Sequence, residues 1–140
     1  MRQRAWLGVV PIVLLASASG AADMKQRLAG RWDEAKEFTA LCGEGHNLLT
    51  QKLSADGKQL VVTFQSPKKL WDGHQVTSFS YEVRESAPDA LTLFHPGETR
   101  KTAKGDPVVW QMVFVDRDTY RWRVTDDPPG VFVAWGRRCP

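Results

Sequence analysis

With 140 residues and a formal charge of +3, the chain is long enough for one compact core and too short for two. Arg2 and Arg4 carry much of that charge: without the first 22 residues, 17 basic side chains face 16 acidic ones, a net charge of about +1. So balanced a field lacks the concentrated positive charge that phosphate backbones require, and no nucleic-acid partner is expected.

In chain order, Arg2 and Arg4 precede an apolar stretch from Trp6 to Ala16, followed by the small residues Ser17, Ala18, Ser19, Gly20, Ala21 and Ala22. Positive, apolar, then small is the order of a secretory signal. The apolar stretch is shorter than the roughly 20 residues that span a bilayer and is interrupted by Pro11, so no membrane span is expected. Small residues suit cleavage after Ala18 or Ala22, and the second register is preferred. The expected division is a signal peptide over 1–22 and one domain over 23–140, placed in a periplasm or outside the cell. Cys42 and Cys139 both fall in the exported part, and an even count in an oxidising compartment predicts one disulfide. Closing so long a loop is worth about 4–5 kcal/mol in chain entropy.

Met24, Leu28, Trp32, Ala35, Phe38 and Cys42 recur at helical spacing, with Asp23 as a candidate N-cap. Gly30 would cost such a helix about 1 kcal/mol. The prediction is therefore a short helix over 24–28 and a strand that starts after Gly30. Eight strands can be read: 31–38, 46–54, 58–65, a fourth carrying Thr77, Phe79, Tyr81 and Val83, a fifth over 91–95, then 108–115, a seventh over 120–124 and an eighth over 131–138. Asp56-Gly57 between the second and third predicts a two-residue type I′ hairpin. In the fourth, apolar residues alternate with Ser78, Ser80, Glu82 and Arg84, the pattern of a sheet wet on one face. Residues 66–75 and 96–107 are expected to be irregular loops. The sixth strand is apolar on both faces, with Trp110, Met112 and Phe114 opposite Val109, Val113 and Val115, so its outer side is expected to be covered. Short connections and eight alternating strands predict an all-β fold, an eight-stranded antiparallel up-and-down barrel with a short N-terminal helix; a two-sheet sandwich is the rival.

The segment Leu28-Ala29-Gly30-Arg31-Trp32 resembles the Gly-x-Trp start of the first strand of lipocalins and related calycins. Asp118-Thr119-Tyr120 stands where that family places Thr-Asp-Tyr, with the first two residues exchanged. Arg137 or Arg138 ends the eighth strand, where the family has an arginine packed across the motif tryptophan. The resemblance implies a lipocalin-like barrel closed at its base by a cation–π contact between Trp32 and this arginine, with Arg137 as the expected partner, worth about 0.5–2 kcal/mol.

Motifs for chemistry are scarce. Cys42-x-x-x-His46 has no second close pair of ligands, and His46, His74 and His95 read as ordinary loop or surface residues, so neither metal nor cofactor is expected. No Gly-x-Ser-x-Gly and no glycine-rich phosphate loop occurs, and Glu34, Glu37 and Glu44 read as solvated; the chain is not expected to be an enzyme. Arg121 and Arg123 read as solvating an outer strand face. The aromatic inner faces point to a binding protein that holds a small hydrophobic or amphipathic ligand inside the barrel, with Phe79, Tyr81, Trp110, Met112, Phe114 and Trp122 as the lining. The alternative is a filled barrel that acts on a protein partner, such as a secreted enzyme that it inhibits, through the Trp71 loop and the sixth strand.

Overall fold

Eight strands pair antiparallel with their neighbours in sequence, and the last returns to the first, in the computed structural model, which describes residues 18–140. They are β1 (Arg31–Ala35), β2 (Leu49–Leu53), β3 (Gln59–Lys69), β4 (Gln75–Ala87), β5 (Ala90–Phe94), β6 (Trp110–Asp116), β7 (Thr119–Val124) and β8 (Ala134–Cys139). The sheet closes as an up-and-down barrel rather than a sandwich, so no strand edge is left to be protected. Helix α1 (Ala18–Leu28) precedes β1 and buries Met24 and Leu28 in the barrel core. The residues read as a signal lie in 1–17, outside the described residues, except for their last five, which belong to α1. Alanine-rich sequence carries the helix through Asp23, so Asp23 sits inside it and not at its N-cap. Among the described residues no helix is long and apolar enough to cross a membrane.

Period-two alternation decides the interior. Trp32 of β1, Leu49 and Leu53 of β2, Leu60, Val62 and Phe64 of β3, Leu91 and Leu93 of β5, Met112 and Phe114 of β6, and Tyr120 and Trp122 of β7 form one core with α1. Gly136 of β8 faces the same interior. Tyr120 lies across it so closely that a Cβ there would come within 2.1 Å of the ring, so only glycine leaves room for this side chain. On the outside, Val115 of β6 is exposed rather than covered. Arg121 stacks on Phe132 and Trp135 with its guanidinium 4.4 and 4.9 Å from the ring centres, while Arg123 bonds Gln111 and the Asp127 carbonyl.

The base of the barrel shows how the Gly-x-Trp segment works. Gly30 has φ +100°, a conformation that L side chains avoid, and it turns the chain from α1 into β1. Trp32, fully buried, donates its indole N–H to the Leu28 carbonyl at 2.9 Å, and so satisfies one of the orphan acceptors at the end of α1. Arg138 then covers the indole at 4.6 Å and donates to the carbonyls of Arg27, Ala29 and Arg117 and to Asp118. The closing residue is therefore Arg138, not Arg137. Trp32 and Arg138 are directly paired in the β1–β8 register and share a face, whereas Arg137 points outward toward Phe38, 5.7 Å from its ring centre.

Three connections differ from expectation. Between β2 and β3 only Gly57 has positive φ, and Ala55–Lys58 form a four-residue turn in place of a type I′ pair. Asp56 holds this turn by accepting from Ser54 Oγ at 2.6 Å and from the Lys58 N–H at 3.0 Å. Strand β3 continues past Gln65 to Lys69 because the register shift between Thr63 and Lys68 absorbs Pro67, whose missing N–H is not needed in a bulge. Asn47 pairs with both backbone groups of Ser66 at 2.8 Å and stands in for a neighbouring strand. The segment over 96–107 is also structured: Lys101 bridges Pro107, Thr102 bonds Asp106, and Glu98 is buried beneath it.

Cys42 and Cys139 form the predicted disulfide, with Cα atoms 5.6 Å apart. Beside it the buried carboxylate of Asp33 accepts from the Cys42 N–H at 2.8 Å and bonds His46 Nδ1, which fixes the loop after β1 against the barrel wall.

Candidate functional site

One end of the barrel is plugged by α1, Trp32, Tyr120 and Phe114. The other opens into a cavity of about 430 Å³, within the range of small-molecule sites. Phe79, Tyr81, Trp110 and Trp122 line it, all from inward positions of β4, β6 and β7. Phe79 and Tyr81 meet edge to face at 5.0 Å, and Tyr81 lies 5.8 Å from Trp122. Two of the six expected lining residues are elsewhere. Met112 is wholly buried in the core, and Phe114 packs on Trp32 at 6.1 Å in the plugged end. Both share a strand face with Trp110, but lie further from the mouth.

Glu34 is the polar group at the cavity floor. It sits two residues from Trp32 on the same inward face, and its Oε1 accepts from Tyr120 Oη at 2.6 Å and Trp122 Nε1 at 2.9 Å. Gln51 Nε2 donates to the Tyr120 oxygen at 3.1 Å and extends the network into the core. Burial, with the Glu34 carboxylate adding to it, pushes the phenols of Tyr81 and Tyr120 well above their ordinary range, so both are neutral. Glu34 is thus no solvated surface acid. Its place was readable from the alternation that buries Trp32, had a charged residue been admitted to the inner face.

The mouth is built by two loops that lean on each other. Trp71, at the tip of the β3–β4 hairpin, donates to Thr99 Oγ1 at 3.3 Å and stacks on Arg100, whose guanidinium lies 4.2 Å from the Trp71 ring and 4.9 Å from that of Trp110. Glu98 holds Arg100 in this slot through bonds of 2.6 and 2.8 Å and also accepts from Trp110 Nε1 at 3.1 Å. His95 packs below, against Trp71, Phe79 and Tyr81 at 5.0–5.8 Å. Burial holds its pKa below the ordinary value despite the nearby Glu98, so the ring is neutral. Since Nδ1 accepts from the Gly97 N–H at 3.0 Å, the proton is on Nε2. Far from being a plain surface residue, His95 is a strut of the cavity wall.

The Glu98–Arg100 pair makes a pH prediction. Burial pushes the Glu98 carboxyl up, but the hydrogen bonds from Arg100 and Trp110 outweigh it and hold the group below its ordinary value of 4.5. A carboxyl lowered on folding adds stability that is complete above its unfolded pKa and is lost as pH falls through the folded one. Arg100→Met keeps the alkyl packing between the indoles and strands the buried carboxylate. It is expected to cost about 2–3 kcal/mol near pH 7, less than a fully buried pair would because Arg100 is partly exposed. In urea titrations the gap between wild type and variant should close as pH drops below about 4.5, because the protonated Glu98 no longer needs the cation. A gap that stays constant to about pH 3 would show that this pair does not hold the mouth.

Among the described residues no cluster of three His, Cys, Asp or Glu side chains is placed to hold a metal. Comparison with protein-family models, with curated proteins and with solved structures finds no match. The closed eight-stranded antiparallel barrel is compatible with a lipocalin-like fold.

Proposed function

We propose that the protein is an exported binding barrel that holds a small apolar or amphipathic molecule in its open end and performs no catalysis. The observation that carries this reading is the combination of six aromatic side chains, those of Phe64, Trp71, Phe79, Tyr81, Trp110 and Trp122, with a single polar floor in one cavity of about 430 Å³. Burial of apolar ligand surface at about 25 cal/mol per Å² supplies affinity, and the Glu34 network fixes orientation. A disulfide fits an oxidising compartment, in line with export.

Binding should be visible in titrations with the apolar dye N-phenylnaphthylamine, followed by dye emission and by quenching of Trp110 and Trp122. Phe79→Ala is expected to weaken the dye about tenfold, the loss of one ring from the wall. Val115→Ala on the outer face should leave it unchanged. No dye binding, together with a clean apo mass for protein taken from its own compartment, would sink the reading. That outcome would favour a barrel that acts through its surface, for which Phe38, Val131 and Val133, each 40–45% exposed, offer apolar contacts.

A further inference from the structure

The cavity is two-ended in charge, which, given the binding function proposed above, defines the kind of ligand it takes. At the floor, Glu34 is bonded by two neutral donors, and among the described residues no Lys, Arg or His forms an ion pair with it. Both hydrogen bonds fall on Oε1, so the carboxylate keeps acceptor capacity on a side chain that lines the cavity. The walls directly above are the rings of Tyr81 and Trp122, with Phe79 and Trp110 beyond them. A partly buried carboxylate at the foot of aromatic walls is an environment that favours an organic cation. A hydroxyl could donate to Glu34 as well, but it would leave the negative charge uncompensated.

The rim has the opposite sign. Lys36, Lys68 and Lys69 border the cavity, and none is in an ion pair among the described residues. Arg100 adds no free charge there, since Glu98 and two indoles engage it. Lys36 lies two positions from Glu34 on β1 and its continuation, so the two signs follow each other along one line from floor to mouth. An anion inserted head-first would meet Glu34, whereas a lone cation would first cross the lysines.

We infer that the ligand is a bipolar amphiphile inserted amine-first: an ammonium or amidinium against Glu34 inside the aromatic walls, an apolar body between them, and a carboxylate or phosphate at Lys36, Lys68 and Lys69. The order of charges in the ligand is the mirror image of that in the cavity. Neither end alone accounts for both sets of groups.

Three probes with one body test this on the disulfide-bonded protein: para-(aminoethyl)benzoate with both ends, phenethylamine with the amine only, and para-ethylbenzoate with the acid only. Calorimetric titration should find the two-ended probe about tenfold tighter than either of the others. Glu34→Gln keeps an oxygen that accepts from Tyr120 and Trp122, and should bring the two-ended probe down to the level of the acid-only one while dye binding persists. Lys68→Gln with Lys69→Gln should erase the advantage over phenethylamine. If the dye binds but the acid-only or the amine-only probe matches the two-ended one, or if no probe binds, the inference falls and the binding reading stands. Loss of the dye along with all three probes would overturn both. Should Glu34→Gln fail to fold by circular dichroism, the wild-type ranking and the lysine variant still decide.

Discussion

Trp32→Ala is expected to lower the unfolding free energy by about 3–5 kcal/mol, the range for truncating a buried aromatic. The indole is fully buried, 4.9 Å from the Tyr120 ring and 6.1 Å from Phe114. Its removal also takes away the donor to the Leu28 carbonyl and the surface on which Arg138 lies. Arg138 holds the end of α1, the β6–β7 turn and β8 together, so the loss should spread along the base of the barrel and not stay at one site. Trp32→Phe separates the contributions: it keeps much of the packing and loses the indole donor, for an expected cost of about 1–3 kcal/mol. In a double-mutant cycle with Arg138→Ala the coupling should be about 0.5–2 kcal/mol, read from urea midpoints at constant slope. A Trp32→Ala variant within about 1 kcal/mol of wild type would mean that this end of the barrel is not packed as described.

The strands were readable because most inner faces are uninterrupted by polar residues. Phe79, Tyr81 and Val83 on β4, or Trp110, Met112 and Phe114 on β6, leave one parity for burial, and eight such segments with short links favour closure over a sandwich. What failed depends on partners that sequence does not place. Pro67 argues against a strand until the bulge opposite Thr77 is known, and Asp56-Gly57 argues for a two-residue hairpin until Ser54 and Gln59 are seen to close the turn. The choice between Arg137 and Arg138 is a matter of parity. Gly136 faces inward and Trp135 outward, so Arg138 faces Trp32, but this follows only once β8 is registered on β1.

The candidate site was half legible for a related reason. Alternation tells which residues face the interior but not how far along the barrel each one sits. Phe79, Tyr81, Trp110 and Trp122 reach the open end, while Met112 and Phe114, of the same parity, fill the plugged one. Glu34 escaped because a carboxylate on a short strand is most often solvated. The two groups that make its inward position tolerable, Tyr120 Oη and Trp122 Nε1, lie 86 and 88 residues away. Glu98 and Arg100 are neighbours in sequence, yet their role as a clamp for Trp71 and Trp110 needs three loops and strands at once.

Replacing Cys42 and Cys139 together by serine should cost about 3–5 kcal/mol, in the range for a bridge across a loop of this length. The bridge joins positions 97 apart and ties the last residues of β8 to the loop after β1, the one pair of strands in the barrel that are neighbours in space but not in sequence. Every other strand pair is joined by a far shorter connection, the longest being residues 36–48 and 95–109, so its closure entropy is smaller. The β1–β8 seam alone must gather the two ends of the domain, and the disulfide removes most of that cost in advance. The chain has two cysteines, so oxidation within it allows a single pairing and the reduced state cannot be trapped by a wrong one. The serine variant should keep the β1–β8 register, because Arg138, Trp32 and the backbone ladder remain, and its urea midpoint should fall while the slope rises, since the unfolded chain without the cross-link exposes more surface. A drop in slope instead would mean that the barrel opens at this seam before it unfolds. An unchanged midpoint, with both thiols of the wild-type protein labelled in the absence of reductant, would show that the seam is held by its strands alone.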